Sequence, residues 1–402
     1  MNRGILLTGA TGFLGGHLLL YLLKHTEATI YCLARRKPAF PTADRLRRRL
    51  TDILAASVAG DLRFQVNLDR EWTRVRLLEG DLRQRRMGLT GDQYDALSVD
   101  EIWHVGAEID FSEQRREAIF ETNLNGIRHV LEFARSHGHP FLNYVSTAYV
   151  CGERFGCIPD EAADERYAAN NAYEESKRAA ERAVLQAHAE GHTSVRIFRP
   201  SIIVGHSRTH DIDKASGMHT YLLALYRTKE AVDIRLPEHF ENVPVTFLVG
   251  DDATLNLISV DHVVETMYRI ARRGETTGEI VHITNPYPTD LPQLLHMLAD
   301  VFDAKVNTTS EACRLNPIDQ LVGENTKPFR PYFLNNKQFD CSKMLRLSSI
   351  PAETFRIAEP VKKELLRRSF EFHLSDPRLQ ALRRRRMKAS GSSSIRRFQE
   401  LK

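Results

Sequence analysis

The sequence predicts an α/β protein in which a doubly wound parallel sheet is joined to a smaller, mainly helical C-terminal lobe. Over the first two hundred residues, short apolar runs alternate with helix-length segments, as in a parallel sheet covered by helices on both faces. After Pro200 this alternation weakens and helix-like segments predominate. With 402 residues, 42% of them hydrophobic and 27% charged, the chain has ordinary globular composition and enough length for two domains.

Six apolar runs are expected to form the strands of the first domain: 4–8, 28–34, 75–79, 101–105, 141–145 and 195–198. The helices between them are expected at 13–24, 119–136 and 172–189, and a long insertion at 37–74 contains an Arg-rich helix at 43–54. We predict that residues 1–205 form the sheet domain, to which the chain returns at about 254–285. Residues 206–402 would form a substrate-binding lobe with helices at 215–229 and 288–302.

Composition excludes several classes of protein. No run of about 18 apolar residues is present, which argues against stable membrane insertion. The five cysteines are scattered without a C-x-x-C pair, so a disulfide framework or zinc site is not expected and a cytoplasmic location is favoured. The net charge of +4 comes from a basic tail that begins at about 379 and runs from Arg383 to Lys402. The rest of the chain has a small negative net charge, so no nucleic-acid partner is expected. His206, His210 and His219 lack metal-ligand spacing, and no metal is expected. The oligomeric state cannot be predicted.

A glycine-rich loop follows the first predicted strand and opens the first helix. It reads Thr8-Gly-Ala-Thr-Gly-Phe-Leu-Gly15, which is the context that a dinucleotide-binding loop requires. Gly9 would permit the tight turn, Gly12 would let the backbone approach a pyrophosphate, and Gly15 would let helix and strand pack closely. The sequence therefore predicts a nucleotide site, which makes the sheet a Rossmann-type sheet.

The residues after the second strand indicate which dinucleotide binds. NAD-binding sites place an acidic residue about twenty positions after the loop for the ribose 2′-hydroxyl. Here Arg35 and Arg36 occupy that place. A guanidinium suits a 2′-phosphate, so NADP(H) is predicted in preference to NAD(H), and the domain at 1–205 is predicted to be the NADP-binding domain.

Three residues form a candidate catalytic set. Tyr173 and Lys177 are spaced i, i+4 in a predicted helix and therefore share one face. A nearby ammonium stabilises a phenolate, so Lys177 is expected to keep the Tyr173 pKa low. Thr147 follows a predicted strand, where its hydroxyl can reach a substrate carbonyl oxygen.

Together these motifs resemble the extended short-chain dehydrogenase/reductase superfamily. Further matching features are Gly80-Asp-Leu, His104-Val-Gly-Ala, Asn123, the Val145-Ser-Thr-Ala-Tyr-Val segment, Arg199-Pro-Ser and Val260-Asp-His-Val. Within it the chain is most similar to the thioester-reductase branch, which includes reductase domains of peptide and polyketide synthases and the male-sterility-type fatty acyl-CoA reductases. The Arg-rich insertion, the VSTAYV sequence and the RPSIIVG segment favour that branch.

The resemblance implies an NADPH-dependent reductase of an acyl thioester, bound to CoA or to a carrier protein, that produces an aldehyde and, with a second hydride, an alcohol. The implied catalytic residues are Thr147, Tyr173 and Lys177. The expected cofactor-binding residues are Thr8, Gly9, Thr11, Gly12, Phe13, Leu14, Gly15, Arg35, Arg36, Asp81, Leu82, Gly106, Ala107, Asn123, Tyr173, Lys177, Pro200, Ser201 and Ile202.

Two other functions stay open at the sequence level. A sugar-nucleotide epimerase or dehydratase, or a hydroxysteroid-type dehydrogenase, shares the Tyr-x-x-Ser-Lys pattern, although epimerases prefer NAD. A non-enzymatic NADP sensor would have no need for an intact Thr147, Tyr173 and Lys177. If the substrate is carrier-bound, we expect it to arrive in trans, because the chain begins at its first strand. A basic surface of Arg45, Arg47, Arg48 and Arg49 could then meet the carrier's acidic face, with an unpartnered exposed helix as the alternative.

Overall fold

The structure is a computed structural model that describes residues 3–37, 40–60, 66–212, 217–237, 239–374 and 376–389. Its strands, in chain order, are β1 Gly4–Thr8, β2 Thr29–Ala34, β3 Val75–Glu79, β4 Glu101–His104, β5 Phe141–Val145, β6 Gly156–Ile158, β7 Val195–Pro200, β8 Ile202–Ile203, β9 Val245–Leu248, β10 Thr254–Leu255, β11 Leu257–Ile258, β12 Ile280–Ile283, β13 Thr289–Asp290, β14 Val306–Thr309 and β15 Lys337–Phe339. The last part of the predicted basic tail, residues 390–402, lies outside the described residues.

The helices, in chain order, are α1 Phe13–His25, α2 Thr42–Gly60, α3 Leu68–Glu71, α4 Gly91–Asp95, α5 Arg116–Phe120, α6 Gly126–Ser136, α7 Ala172–Ala189, α8 Gly217–Asp233, α9 His239–Asn242, α10 Val260–Ala271, α11 Leu291–Phe302, α12 Pro317–Asn325, α13 Pro331–Leu334, α14 Ser342–Ser348, α15 Glu359–His373 and α16 Pro377–Ala389. Between α5 and α6 the chain makes a π-helical turn, Glu121–Asn125. In the described part of the chain, none of these helices combines the length and the apolarity needed to cross a membrane.

The chain divides into two compact units. Unit 1 comprises Met1–Asp211, Leu257–Tyr287 and Gln338–Arg356, and unit 2 comprises Ile212–Asn256, Pro288–Lys337 and Ile357–Lys402. The chain thus returns to unit 1 twice. The sequence predicted a return at about 254–285, whereas no pattern indicated the later segment, Gln338–Arg356.

Unit 1 is built on a parallel sheet. Within the described residues, seven strands pair in the order β12-β7-β5-β4-β1-β2-β3. The chain builds outward from β1 in one direction and from β4 in the other, so these two neighbours form the switch point of the sheet. In open α/β sheets, ligands bind in the crevice at the carboxyl ends of the strands at such a point. The predicted doubly wound, Rossmann-type fold is confirmed.

Alternation of side chains along the central strand explains why both faces of the sheet are covered. Ile5 and Leu7 of β1 are fully buried in an apolar cluster with α1 and α10, whereas Leu6 is fully buried in a second cluster with α6 and α7. Each such side chain contributes about 2 kcal/mol to the stability of the fold. The buried run at the start of the chain therefore fixes β1 as a central strand.

A buried polar network stabilises the sheet at the end opposite this crevice. The carboxylate of Glu101, at the start of β4, is 1% exposed and accepts a hydrogen bond of 2.9 Å from Asn143 of β5. It also forms ion pairs with Arg272 and, at 3.2 Å, with Arg3. Arg196 of β7 donates to the amide oxygen of Asn143 at 3.1 Å. One carboxylate therefore compensates the charges of several strands and of α10.

Unit 2 is mainly helical. Helix α8 packs against α12, α15 and α16, and two short strand pairs, β9 with β14 and β10 with β13, lie among the helices. An aromatic group of Tyr226, Phe302 and Phe370 forms part of its core, with ring centroids of the first two residues 3.8 Å apart. This agrees with the predicted helical lobe.

The Glu101 network gives a stability prediction. Glu101→Gln should lower the free energy of unfolding by about 2 kcal/mol, because it removes the charge of a buried carboxylate that pairs with the partly exposed Arg272 and Arg3. Glu165→Gln is the matched control, since Glu165 pairs with Arg182 on the surface with both side chains 61% exposed. The control should change stability by less than about 1 kcal/mol. Urea unfolding followed by circular dichroism measures both; equal effects would contradict the assigned role of Glu101.

Candidate active site

The glycine-rich loop lies at the carboxyl end of β1. Gly9 has a positive φ of 79°, and a Cβ atom there would lie 2.7 Å from the backbone nitrogen of Gly106, after β4. A Cβ atom on Gly15 would lie 2.1 Å from the Gly9 carbonyl oxygen. Both positions therefore require glycine. Gly12 caps α1 without a side-chain hydrogen bond, which leaves the first N–H groups of α1 suited to phosphate oxygens.

Thr8 joins the two strands that form the crevice. Its hydroxyl accepts a hydrogen bond from the Gly106 N–H at 3.1 Å and lies 3.1 Å from Nδ1 of His104. The His104 ring is buried and stacks on Tyr144 of β5. Burial lowers the pKa of His104 to about 3, with the nearby Lys177 charge acting in the same direction, so the ring is neutral at physiological pH.

The residues expected to bind adenosine lie around the ends of β2 and β3. Arg35 and Arg36 are exposed after β2, and Arg45 of α2 donates to the Arg35 carbonyl at 2.6 Å. Asp81 accepts hydrogen bonds from Nε and Nη2 of the Arg83 guanidinium, which lower the pKa of this carboxyl, and the charge of Arg35 acts in the same direction. Arg35 and Asp81 are therefore neighbours, as their predicted roles require.

The expected contacts along the cofactor are half-buried. A Cβ on Gly106 would lie 3.1 Å from Leu82 Cδ1, and Ala107 follows in the same partly exposed segment. On the other side, the Ser201 N–H donates to the Ile283 carbonyl of β12 at 3.1 Å, and Ile202 opens β8, which pairs with β11. The assignment of these residues, with Pro200 at the end of β7, to the cofactor stays a prediction.

Asn123 acts as a tie between segments. It lies in the π-helical turn and is 2% exposed. Its amide oxygen accepts from the Glu108 N–H at 2.8 Å, and its amide nitrogen donates to the Glu108 carbonyl at 3.0 Å and to Ser176 Oγ at 2.9 Å. It thus holds the loop after β4 against α7, next to Lys177; a direct contact with the cofactor stays a prediction.

Lys177 fixes α7 to the end of β5. Its ammonium donates a 2.7 Å hydrogen bond to the Val145 carbonyl and lies 4.4 Å from the centroid of the Tyr144 ring. Thr147 is two residues further along, where its Oγ1 accepts from the Tyr149 N–H at 3.3 Å. Tyr173 lies one turn before Lys177 on α7, half-buried, with its ring 6.0 Å from that of Phe111. The candidate catalytic set therefore lies at the carboxyl edge of the sheet.

Burial determines the ionisation of this set. It lowers the pKa of Lys177 to about 7, a shift that the carboxylate of Glu181 opposes. It raises the pKa of Tyr173 above its ordinary value, and the neighbouring Glu174 adds to this. The expectation that Lys177 keeps the Tyr173 pKa low is therefore wrong for this structure, because desolvation dominates. A protonated Tyr173 is nonetheless the form that can donate a proton.

The comparisons with known proteins agree with this geometry. Residues 7–267 match the model of the NAD-binding family described as Male sterility protein. The chain belongs to this family. The resemblance to the thioester-reductase branch of the extended short-chain dehydrogenases/reductases is thereby confirmed, and with it an oxidoreductase that uses a nicotinamide cofactor. The glycine positions of the loop fit such a cofactor.

Similar proteins and structures cover much of this chain. A linear gramicidin synthase protein of Brevibacillus parabrevis is 28% identical over 300 residues, which are 73% of this chain and 5% of that protein. The chain thus spans only a small part of that relative's length. The terminal R domain from the myxalamid PKS-NRPS pathway has a TM-score of 0.69 at 25% identity, covering 93% of this chain and 90% of that chain. A thiolation-reductase di-domain from an archaeal non-ribosomal peptide synthetase has a TM-score of 0.67 at 19% identity, covering 93% and 75%, and shows the fold alone.

Several residues around the site were given no role of their own in the sequence analysis, although His104 and Asp261 lie in the family motifs. His104 and Tyr144 form the buried floor beneath Lys177, although each occurs in an apolar strand that gives no sign of this. Asp261, in the later family motif, accepts from Ser207 N–H at 2.9 Å and from Ser207 Oγ at 2.6 Å. It therefore anchors the segment after β8. Among the described residues, no group of three metal-binding side chains is arranged to hold an ion.

The glycine loop gives a second prediction. Gly15→Ala should lower the free energy of unfolding by about 2–3 kcal/mol and weaken cofactor binding, because its Cβ meets backbone that cannot move without opening the loop. Gly16→Ala is the control at the next residue, where the nearest atom to the new Cβ is the end of the Ile53 side chain. It should change stability by less than about 1 kcal/mol. Thermal unfolding and quenching of cofactor fluorescence measure the two effects; similar losses in both variants would contradict this role of Gly15.

Proposed function

We propose that the protein is an NADPH-dependent reductase that converts a carrier-bound acyl thioester into an aldehyde. The observation that carries this proposal is the hydrogen bond from Lys177 to the Val145 carbonyl, which holds α7 beside Thr147 at the crevice of the glycine loop. A lysine side chain that is 2% exposed, on the helix that carries a protonated tyrosine, supports a site for reducing a carbonyl group.

The nature of the substrate is argued from the relatives. One of them belongs to a linear gramicidin synthase, another is the terminal R domain of a PKS-NRPS pathway, and a third is a reductase joined to a thiolation domain. Thioesters on carrier proteins are the intermediates of such synthases. We therefore propose that this chain accepts an acyl or peptidyl thioester from a carrier, with an acyl-CoA as the simpler substrate.

The chain's own residues would act as follows. When bound, the nicotinamide cofactor supplies the hydride that reduces the thioester carbonyl. The hydroxyls of Thr147 and Tyr173 donate hydrogen bonds to the carbonyl oxygen as negative charge develops there, and Tyr173 transfers its proton to that oxygen. The ammonium of Lys177 would contact the nicotinamide ribose of the bound cofactor. The hemithioacetal then loses its thiol and leaves the aldehyde, which a second reduction at the same site would convert to an alcohol.

The preference for NADPH is proposed from the charges near β2. Arg35 and Arg36 are exposed, and Arg45 holds the Arg35 carbonyl, so the basic turn has a fixed backbone. With no acidic residue in this turn to accept from a ribose 2′-hydroxyl, a 2′-phosphate is the better ligand.

The basic helix α2 offers less surface to a carrier than the sequence suggested. Arg45 donates to the Arg35 carbonyl, and Arg49 is 18% exposed with its guanidinium over the Phe13 ring. Arg47 pairs with Asp69. Of the four arginines expected to meet a carrier, Arg47 and Arg48 have exposed side chains, so a contribution of α2 to docking would rest on these two.

Cofactor choice is the first prediction from this proposal. Arg35→Asp should weaken NADPH binding by about 10- to 100-fold, because it removes a charge-assisted contact with the 2′-phosphate and adds a repelling charge. Binding of NADH should be unchanged or tighter. Arg128→Asp, at an exposed arginine of α6, is the matched control and should leave both affinities unchanged. Calorimetric titration with each cofactor measures this; equal affinity of the unmodified protein for NADPH and NADH would reject the proposed preference.

Turnover of a thioester is the second. NADPH oxidation should be faster with an acyl thioester on a phosphopantetheinylated carrier than with sugar nucleotides. Tyr173→Phe should lower kcat by about 10²–10⁴-fold, because the proton donor is lost, while NADPH affinity stays nearly constant. Lys177→Ala should impair both turnover and cofactor binding. Near-normal thioester reduction by Tyr173→Phe would show that another group is the acid, and turnover of sugar nucleotides alone would reject the proposed substrate.

A further inference from the structure

The surroundings of Lys177 contain few charges. Its ammonium faces the Val145 carbonyl and the Tyr144 ring, and both contacts are with uncharged groups. His104 is also near enough for the Lys177 charge to act on its pKa, and it is neutral. The negative group that acts on Lys177 is Glu181, one turn further along α7. In the described part of the chain, the titratable groups that face Lys177 are thus His104 from β4, Tyr144 from β5, and Tyr173 and Glu181 from α7.

Glu181 is itself held by a buried arginine. The Arg199 guanidinium, at the end of β7, donates to Glu181 through Nε at 2.9 Å and through Nη2 at 2.6 Å, one bond to each carboxylate oxygen. The two side chains are 2% and 3% exposed. The third guanidinium nitrogen, Nη1, donates to the Glu161 carbonyl at 2.8 Å. This bidentate geometry fixes the orientation of the Glu181 carboxylate, which lies one turn from Lys177 on α7.

Alternating charges continue beyond Arg199. Asp160 is the next group whose charge acts on Arg199. Its carboxylate accepts from the His282 backbone N–H at 2.5 Å, and its carbonyl lies 3.4 Å from the ammonium of Lys343. Lys343 in turn pairs with Glu279 at 2.7 Å. Burial raises the pKa of Asp160 to about 6, so this group also titrates near neutral pH. The series runs from the buried Glu181 and Arg199, on α7 and β7, to the partly exposed Lys343 of α14 and its partner Glu279.

We propose that Glu181 and Arg199 are positioning residues for Lys177, which keep its ammonium charged and directed at the Val145 carbonyl and thereby determine the pH range in which the site works. This inference rests on the proposed function only in assigning a catalytic use to Lys177. Neither residue needs to touch substrate or cofactor. Both act through the lysine.

The sign of each effect follows from electrostatics. Glu181 lies one turn from Lys177 on the same helix and its charge acts on the lysine, whereas Arg199 reaches α7 from β7 through that carboxylate, so the pair as a whole favours the charged lysine. Removing the carboxylate alone leaves the Arg199 cation uncompensated beside α7 and disfavours the charge of Lys177. Removing the guanidinium alone leaves the carboxylate uncompensated and favours that charge. Removing both side chains should give a Lys177 pKa that lies between that of the variant without the carboxylate and that of the unmodified protein.

The test compares Glu181→Gln, Arg199→Met and the double variant with the unmodified protein. With the lysine pKa at about 7, activity should fall as pH rises through that value. In Glu181→Gln this alkaline fall should begin about one pH unit lower, and in Arg199→Met it should not begin lower. The double variant should lie between Glu181→Gln and the unmodified protein. It also replaces both partners, so it remains interpretable if a single variant leaves a buried charge and does not fold.

Two readouts separate this inference from the proposed function. The first is the pH profile of kcat/KM for thioester reduction. The second is the ¹³C chemical shift of the Lys177 side chain in lysine-labelled protein, assigned with Lys177→Arg and titrated without cofactor or substrate. If thioesters are not reduced but the lysine titration follows the expected order, the proposed function fails and this inference stands. If thioesters are reduced and the titration is the same in all variants, the inference is overturned.

Glu101→Gln is the matched control for a structural role. It also removes a buried carboxylate from arginine partners, at the opposite end of the sheet. It should lower the unfolding temperature and leave the Lys177 titration unchanged. A downward shift of the same size in Glu101→Gln, or in Arg199→Met, would show that loosened packing causes the effect, and would overturn the assignment.

Discussion

The hydrogen bond from the Lys177 ammonium to the Val145 carbonyl is the contact on which the site depends. An ammonium that leaves water must recover most of its lost hydration from fixed partners. Here it finds one carbonyl at the end of a central strand and the face of an aromatic ring. Because the Val145 carbonyl cannot move without breaking the sheet, this hydrogen bond fixes the position of α7 relative to β5. The positions of Tyr173, on α7, and of Thr147, which follows β5, are determined by the same contact.

The sheet and the loops that its strands carry could be predicted from the sequence, because they depend on local patterns. The apolar runs that became β1, β3 and β5 have the predicted bounds, and the glycine spacing specified the turn into α1. The seventh strand of the sheet, β12, lies in the segment 254–285, for which a return to this domain was predicted. The structural position of Gln338–Arg356 was not predicted, because nothing in its own residues says which unit it joins.

Contacts between distant segments could not be predicted in this way. In the sequence, Glu181 is one of several charged residues in a helix that could all be exposed. Its burial and its ion pair with Arg199 depend on where β7 lies in the fold. Asn123 matched a family feature, but its bonds to Glu108 and Ser176 depend on where α7 crosses the sheet. The Arg-rich helix α2 is a second case in which contacts differ from what the sequence suggested. Its composition suggested a surface for a partner, whereas the Arg45 side chain donates a hydrogen bond to the Arg35 carbonyl of its own chain. Charge composition does not reveal which side chains a helix uses within its own protein.

The π-helical turn at Glu121–Asn125 has a consequence for how this protein can vary. Such a turn contains one residue more than the α-helical turn it replaces. Loss of one residue there would restore an ordinary helix and rotate the preceding segment by about 100° relative to α6. Asn123 would then face away from Glu108 and Ser176. Insertions and deletions in this helix are thus restricted far more than in the surface loops around it, although the turn contains no residue of the candidate catalytic set.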